Sequence, residues 1–374
     1  MRIAIVGAGP AGLYLSYLIR RRRPDFDVRV YEQNAADASF GFGVVFSDRA
    51  VEFLRADDPD TCDAIAPHME SWTDMHLDIE GTVIRLDGIG FSAIGRLELM
   101  RLLQDRARSV GVSLEFGRTL GSARELADAD LIVAADGANS ALRDPAIFDT
   151  QEEDLTNRFV WYGTDRAFET LTQTFRRNSD GAFNAHHYRY APDRSTFIVE
   201  TDAATWKKAG FERMNEAETR AYCEGLFADT LAGGRLISNK SVWRRFRKIS
   251  NARWSTGNIV LIGDAQRTAH FSIGSGTRLA MEDAIALDTA LAAAPGDIPS
   301  ALADFEERRR PAVDALVAAA DTSARWYEDF GAHMTLEPWD MAWSYIQRSG
   351  RVDLDRLAKL LPDFVARYRA AKAG

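Results

Sequence analysis

The hydrophobic pattern of the first thirty residues predicts a strand, a tight turn, a helix and a second strand. Residues 2–6 form a short apolar run, residues 7–12 are rich in glycine, and residues 13–22 carry apolar positions at helical spacing. A second short run, VRVYE, follows at residues 28–32. Two strands joined by a helix form the βαβ unit that builds parallel sheets. The chain therefore opens as an α/β protein.

The rest of the chain divides into regions with different patterns. Residues 94–112 and 215–231 have helical spacing, and the apolar runs near residues 131–134 and 259–262 each end in a polar turn. Between residues 152 and 254, runs such as RFVWYGT, FNAHHYRYA and STFIVETD alternate and are rich in aromatic residues, which is typical of an antiparallel sheet. From about residue 300 the pattern is helical to the end, with breaks near Gly331, Pro338, Gly350 and Pro362.

Composition narrows the class of protein. The chain has 374 residues, 46% of them hydrophobic and 27% charged, as in an ordinary globular protein. Its net charge of −9 argues against a nucleic-acid partner. No apolar stretch reaches the roughly 20 residues that span a bilayer, and no signal peptide is recognisable, so we expect a cytoplasmic protein without a membrane partner. Cys62 and Cys223 lack metal-ligand spacing, and no metal site is predicted.

The glycine-rich turn GAGPAG has the spacing of a dinucleotide-binding motif. Gly7, Gly9 and Gly12 stand where a tight turn, close approach to a pyrophosphate and helix–strand packing exclude side chains. Glu32 ends the second strand, where its carboxylate can accept hydrogen bonds from a ribose diol. The motif predicts FAD or NAD, and a carboxylate here disfavours a 2′-phosphate.

Two further landmarks follow in order, Asp136-Gly137 after one apolar run and Gly263-Asp264 after another. Together with GAGPAG and Glu32, this order resembles the single-component FAD-dependent aromatic hydroxylases typified by 4-hydroxybenzoate hydroxylase. The segments GFGVVFSD (41–48), WYGT (161–164), STFIVE (195–200), GDAQRTAHFSIGSGTRLAMEDAI (263–285) and LEPWDMAWSYIQRSGRV (336–352) are similar to the salicylyl-CoA 5-hydroxylases and to the N-terminal half of the anthraniloyl-CoA monooxygenases. The indole hydroxylase of violacein biosynthesis shares several of them, so the motifs mark a clan more firmly than one substrate.

The resemblance implies an α/β fold with a Rossmann-type FAD-binding domain, an inserted antiparallel-sheet substrate domain and a helical C-terminal tail. The FAD-binding domain would comprise residues 1–73, 96–151 and 255–330. The substrate domain would comprise residues 74–95 and 152–254, and the tail residues 331–374. A homodimer is one assembly that the sequence leaves open.

The resemblance also implies the reaction. FAD would be bound, NADH or NADPH would dock transiently, and O₂ would form a flavin C4a-hydroperoxide that transfers one oxygen atom to an aromatic ring. The expected substrate is an aryl-CoA thioester such as salicylyl-CoA. Two alternatives stay open at this stage: the same chemistry on a free aromatic acid or an indole intermediate, and a non-catalytic protein that uses the same fold.

The candidate site residues follow from the motifs and from this resemblance. The catalytic candidates are His270, Phe271, His186 and Tyr188. The residues expected to bind the cofactor are Gly7, Gly9, Gly12, Glu32, Arg96, Asp136, Asp264, Gly274, Ser275, Gly276 and Thr277. For several of these a plainer role is the alternative: a helix cap for Asp264, a helix-start cation for Arg96, a turn for Asp136 and a backbone-bonded loop residue for His270.

Two basic features have open roles. Arg267, with Gln266, replaces the Ala-His pair that is common in relatives, and it would either contact an acidic group of the substrate or face solvent. The run WRRFRK contributes Arg244, Arg245, Arg247 and Lys248, which would either bind the phosphates of a CoA thioester or form a solvated strand face.

Overall fold

A computed structural model describes residues 1–38, 41–350 and 352–373, and for residues 47–52 the backbone only. The strands, in chain order, are β1 (Arg2–Val6), β2 (Asp27–Glu32), β3 (Gly43–Ser47), β4 (Glu70–Trp72), β5 (Met75–Ile79), β6 (Thr82–Leu86), β7 (Phe91–Gly95), β8 (Ser113–Phe116), β9 (Leu131–Ala134), β10 (Thr150–Asp154), β11 (Arg158–Thr164), β12 (Leu171–Arg177), β13 (Ala182–Ala191), β14 (Arg194–Thr201), β15 (Leu236–Ile237), β16 (Arg247–Asn251), β17 (Ser255–Thr256) and β18 (Ile259–Leu261).

The helices alternate with these strands and then fill the C-terminal part of the chain. They are α1 (Pro10–Arg22), α2 (Asp48–Asp57), α3 (Pro59–Ile65), α4 (Arg96–Ser109), α5 (Pro145–Phe148), α6 (Ala203–Lys208), α7 (Glu216–Leu226), α8 (Ala228–Leu231), α9 (Gly276–Ala293), α10 (Ile298–Glu328), α11 (Phe330–His333), α12 (Pro338–Gln347), α13 (Leu354–Leu360) and α14 (Pro362–Ala373). Short 3₁₀ turns at Gly263–Ala265 and Phe271–Ile273 flank the start of α9.

The first sheet has the order β17-β18-β9-β1-β2-β8, and its strands are parallel except for the β17–β18 pair. Its central strands are buried because α1, α4 and α9 pack together beside them. This accounts for continuous apolar runs such as Ile3–Val6 and Leu131–Ala134, since a parallel sheet with covered faces needs no polar alternation. The predicted Rossmann-type architecture is confirmed.

The second sheet has the order β15-β11-β14-β13-β12-β5-β6. Its neighbours are antiparallel except for β5 and β12, which run parallel. The aromatic alternation predicted this sheet, and β5 and β6 join it from an earlier part of the chain. Strand β7 belongs to a smaller sheet with β3 and β4.

The C-terminal helices cover one face of the second sheet. Tyr345 on α12 and Phe364 on α14 share a buried cluster with Leu77 and Phe175 of the sheet. Cys62 and Cys223 are buried and form no disulfide. Within the residues described, no helix has the length and apolar character that crossing a bilayer requires.

Asp87 ties the last helix to the second sheet. It follows β6, and its two carboxylate oxygens accept hydrogen bonds from the amides of Asp363 at 3.1 Å and Phe364 at 2.9 Å. Free amides at a helix start need such acceptors, and losing one costs about 1 kcal/mol. We expect Asp87→Ala to lower the free energy of unfolding in urea by about that amount. Asp355→Ala, which removes a largely exposed carboxylate, should leave it unchanged; equal effects would contradict the assignment.

Candidate active site

A cavity of about 830 Å³ lies between the two large sheets. The nucleotide-binding side contributes Gly9, Pro10, Ala11, Arg96, Ala135, Gly137, Gly263, Asp264 and Gly274–Thr277. The second sheet contributes Phe159, Trp161, His186, Tyr188 and Ile198, and the mouth is formed by Asn239–Val242 and Arg244–Arg247. Its volume is that of a ligand site rather than of a packing defect.

The glycine motif packs tightly against the sheet on one side and opens to the cavity on the other. Gly7 has a φ of +106°, and a Cβ placed on it would lie 2.2 Å from the carbonyl oxygen of Ala135. A Cβ on Gly12 would lie 2.1 Å from the Gly7 carbonyl oxygen. Gly9 has no atom within 4 Å of such a Cβ and lines the cavity. Only Gly9 therefore leaves room that a ligand can occupy, at the start of α1.

Glu32 is fixed at the end of β2. Its Oε2 accepts a hydrogen bond from the amide of Ala8 at 2.9 Å, and its Oε1 accepts from the amide of Asn34 at 2.9 Å. Oε1 also accepts from the side-chain nitrogen of Asn34 at 2.6 Å, so Oε2 is the oxygen that retains a lone pair for a ligand. A ribose diol is the ligand that this arrangement at the end of a second Rossmann strand suits.

Asp264 and Arg96 both line the cavity and lie close enough for their charges to interact. Burial raises the pKa of the Asp264 carboxyl, and the nearby cations Arg267 and Arg96 oppose that shift. Burial likewise lowers the pKa of Arg96, with Asp264 opposing. Ser275 precedes α9, and Gly276 and Thr277 begin it at the cavity wall, so free amides and the positive end of a helix dipole adjoin these charges.

Arg267 lies behind this wall, not in it. It is 5% exposed, its Nη1 donates to the Gly263 carbonyl oxygen at 2.9 Å, and it pairs with Asp283 at 2.8 Å. The expectation of a solvent-facing side chain is therefore wrong, and Arg267 is not among the residues that line the cavity. Because Asp283 also accepts from the Gly263 amide at 3.0 Å, the two side chains clamp the turn that carries Asp264.

The side chain of Asp136 is hydrogen-bonded within its own loop. Its Oδ2 accepts a hydrogen bond from the amide of Ala141 at 2.8 Å, and burial raises the pKa of its carboxyl. The neighbours Ala135 and Gly137 line the cavity, whereas Asp136 does not. Any contribution of Asp136 to cofactor binding would therefore act through the shape of this loop.

Three of the four catalytic candidates line the cavity: His186, Tyr188 and Phe271. The Tyr188 hydroxyl donates to the Gly43 carbonyl oxygen at 2.9 Å, which fixes this side chain against β3. His270 stands one layer back, where its Nδ1 lies 2.9 Å from Ser272 Oγ and burial lowers its pKa to about 3. The structure thus brings His186, Tyr188 and Phe271 to one wall and leaves His270 as their backing.

Sequence reasoning missed several apolar residues of this wall. Phe159 packs against Phe271 with ring centroids 4.9 Å apart, and Trp161 and Ile198 continue the same surface. The alternation in β11 and β14 predicted which residues share a face, but not that this face meets the nucleotide-binding side.

The basic run at the mouth is largely neutralised. Strand β10 pairs antiparallel with β16, which puts Asp154 beside Arg245 at 2.8 Å and beside Arg247 at 3.3 Å. Lys248 pairs with Asp321 at 3.0 Å. Arg244 is exposed, lines the cavity and has no ion pair among the residues described.

The donor set on the nucleotide-binding side fits FAD. Two helix starts offer free amides to phosphates, Glu32 offers acceptors to a ribose, and Asp264 offers a carboxylate between them. Arg96 adds a cation to the same side of the cavity. One elongated ligand can thus meet both glycine-rich turns.

Comparison with known proteins points the same way. The family model described as an FAD binding domain matches residues 120–320, and one described as an NAD(P)-binding Rossmann-like domain matches residues 5–38. A salicyloyl-CoA 5-hydroxylase of Streptomyces sp is 40% identical over 93% of this chain and 70% of its own length. A 3-hydroxy-4-methyl-anthranilyl-[aryl-carrier protein] 5-monooxygenase of Streptosporangium sibiricum is 38% identical over 87% of this chain and 89% of its own length.

The fold also matches a solved structure. The crystal structure of a 2-methyl-3-hydroxypyridine-5-carboxylic acid oxygenase mutant superposes with a TM-score of 0.71 and covers 95% of this chain and 98% of its own. The sequence identity is 18%, so this likeness concerns the fold alone.

The different surroundings of Gly7 and Gly9 give a paired prediction. Gly7→Ala forces a Cβ into the Ala135 carbonyl at a positive φ, and we expect it to lower the free energy of unfolding by about 2 kcal/mol or more. Gly9→Ala should fold normally but purify with less FAD, because its Cβ projects into the cavity. Urea unfolding and the ratio of flavin to protein absorbance measure the two effects. A fully flavin-loaded Gly9→Ala protein would contradict this.

The clamp behind Asp264 gives a second prediction. Arg267→Ala breaks a buried ion pair, and we expect a loss of about 3 kcal/mol in the unfolding free energy of the apoprotein, together with weaker FAD binding. Flavin fluorescence titration measures the binding. The control is Arg308→Ala, which removes a largely exposed guanidinium from α10. Unchanged stability and an unchanged FAD Kd in Arg267→Ala would show that the clamp is dispensable.

Proposed function

The chain belongs to the FAD-dependent aromatic monooxygenases, and we propose that its substrate is an aromatic ring carried as a thioester on a pantetheine arm. The predicted enzyme class is confirmed by the family and its relatives, and the non-catalytic alternative is set aside. When bound, FAD accepts reducing equivalents from NAD(P)H and activates O₂ for transfer of one oxygen atom to the ring. The residues of this chain bind the partners, orient the ring and exclude water.

The observation that carries the thioester proposal is the charge at the mouth. Arg244 is the cation of the WRRFRK run that has no carboxylate partner among the described residues and also lines the cavity. An exposed, unpaired guanidinium beside a cavity entrance is suited to a phosphate. The protein as a whole carries a net charge of −9, which repels anions, so anion binding at the mouth rests on the local positive charge of Arg244.

The walls between mouth and inner end suit an uncharged arm. Val242 lines the entrance and is 50% exposed, and Trp161 and Phe159 continue inward. Apolar side chains in this position can cover a flexible chain and exclude water from the reacting ring.

The inner end suits an aromatic ring. Phe271 provides an apolar wall, while His186 and Tyr188 provide the polar contacts. Burial, and then the charge of Arg348, lower the pKa of His186 to about 3, so it binds the substrate as a neutral imidazole. We propose His186, Tyr188 and Phe271 as the substrate-contacting residues and His270 as the residue that supports Phe271.

Two carriers share this chemistry. The two relatives described above act, by their names, on a CoA thioester and on a thioester of an aryl-carrier protein. Both present the ring at the end of a phosphopantetheine arm. A free aromatic acid or an indole has no phosphate to place at the mouth, so its binding at the inner end would not depend on Arg244, which makes this residue the discriminating one.

We expect Arg244→Ala to raise KM for an aryl-CoA by about tenfold, the effect of losing one charge-assisted hydrogen bond, and to leave kcat unchanged. NAD(P)H consumption and hydroxylated product, measured with salicylyl-CoA and with free salicylate, check this. The matched control is Arg245→Ala, because Asp154 already neutralises Arg245.

The outcomes separate the substrates. Product from the thioester alone, with KM sensitive to Arg244 and not to Arg245, supports the proposal. Turnover of free salicylate that is equally fast, or a KM unaffected by Arg244→Ala, contradicts it in favour of a free acid. If an acylated carrier protein is turned over much faster than the CoA ester, the ring is carried on a carrier protein and not on CoA.

A further inference from the structure

His186, which lines the cavity, and its strand neighbour Gln173 contain buried polar atoms without hydrogen-bond partners among the described residues. His186 is 6% exposed, and its Nε2 has no partner. Gln173 lies directly opposite His186 in the β12–β13 ladder, so the two side chains project from the same face of the sheet. Gln173 is 2% exposed, and its Oε1 also lacks a partner. Since buried polar groups are almost always paired, these atoms indicate a polar ligand.

Arg348 brings a cation to the same place from the C-terminal helices. Its Nη2 donates to the Ser272 carbonyl oxygen at 3.4 Å and its Nη1 to the Tyr345 carbonyl oxygen at 3.0 Å. The guanidinium carbon lies 3.8 Å from the centroid of the Tyr345 ring. Ser272 directly follows Phe271 of the cavity wall, so Arg348 stands immediately behind that wall.

The guanidinium of Arg348 is incompletely bonded. Its Nε is buried and has no partner, and no carboxylate forms an ion pair with it in the described part of the chain. The phenol of Tyr327, which approaches from α10, does not supply a charge, because burial raises its pKa. A half-buried cation whose Nε–H is buried and unpaired, close to a ligand cavity, is suited to an oxygen atom.

Resting on the proposed function, we propose that Arg348, Gln173 and His186 form the binding site for a hydroxyl substituent of the substrate ring. The Nε–H of Arg348 can only donate a hydrogen bond, and the Oε1 of Gln173 can only accept one. A ring hydroxyl both accepts and donates. An aromatic amino group donates but accepts poorly, because its lone pair is delocalised into the ring, and an unsubstituted ring position does neither.

The site therefore ranks ring substituents by hydrogen-bonding capacity. A hydroxyl satisfies the free N–H and the free carbonyl oxygen together, while an amino group leaves the Arg348 N–H unpaired. Leaving a buried group unpaired is what makes such sites discriminate strongly. Neutral His186 takes either role at Nε2 and does not compete with Arg348 for the ligand.

The test is ligand binding to the oxidised, FAD-loaded protein without NAD(P)H, measured by calorimetry. The ligands are benzoyl-CoA, its three hydroxy isomers and the amino counterpart of the tightest isomer. In the wild-type protein, we expect the tightest hydroxy isomer to bind with a Kd on the order of tenfold or more below that of benzoyl-CoA, and the Kd of the amino compound to lie between them. Arg348→Met should bring the hydroxyl compound within about threefold of benzoyl-CoA, whose Kd stays nearly constant.

Two further variants keep the test decisive. Arg356→Gln, an exposed arginine on α13, should retain the full preference. Gln173→Met should also reduce the preference for the hydroxyl compound. If Arg348→Met loses its fold or its FAD, Gln173→Met is the variant that tests the proposal. A hydroxyl preference that persists in a folded, flavin-loaded Arg348→Met protein overturns the proposal.

The preference is a ratio within one carrier, so it is independent of the arm. If no CoA ester binds, the thioester proposal fails on its own, and the same ratio is measured with benzoate, the hydroxybenzoates and the aminobenzoate. Absence of a hydroxyl preference in both series overturns the assignment of this site.

Discussion

The arrangement of the cavity depends on one buried carboxylate. Asp283 accepts hydrogen bonds from the Gly263 amide, from Arg267 and from Arg309 at 2.9 Å, and all three side chains are buried. A buried charge is tolerated only when it is paired and bonded in this way. Asp283 belongs to α9 and Arg309 to α10. The network therefore fixes the position of the turn after β18 relative to α9, whose start faces the cavity. The position of Asp264 follows from it.

The parts of the site that could be predicted are those set by local constraints. The backbone conformation of Gly7 and the spacing to Glu32 are properties of one βαβ unit, which the sequence displays directly. The partner of Arg267 could not be predicted, because Asp283 meets it only after α9 folds back on the turn. The same holds for the basic run, since the pairing of β10 with β16 joins distant parts of the chain and brings Asp154 beside Arg245.

The two sides of the cavity use opposite physical principles. The nucleotide side offers free amides, a carboxylate and a cation, as a ligand with phosphates and a ribose requires. The side that we propose to bind the substrate offers aromatic walls and a histidine whose pKa burial lowers, an environment of low polarity for a bound ring. A sheet with an apolar face suits the second task because its alternate residues form one continuous wall, whereas a nucleotide needs helix starts that such a sheet lacks.

The C-terminal helices pack behind the candidate site, although none of the described residues of α11–α14 lines the cavity. They cover the second sheet through Tyr345 and Phe364, and the same packing places Arg348 behind Phe271. Substrate choice can therefore change through this segment while the cofactor side stays constant, because Arg348 contacts the wall at Ser272 and makes no ion pair with the nucleotide-binding side in the described residues. In such a fold, relatives with the same glycine motifs can accept different rings, since the residues that we propose to bind FAD and those that we propose to select the ring lie on separate elements.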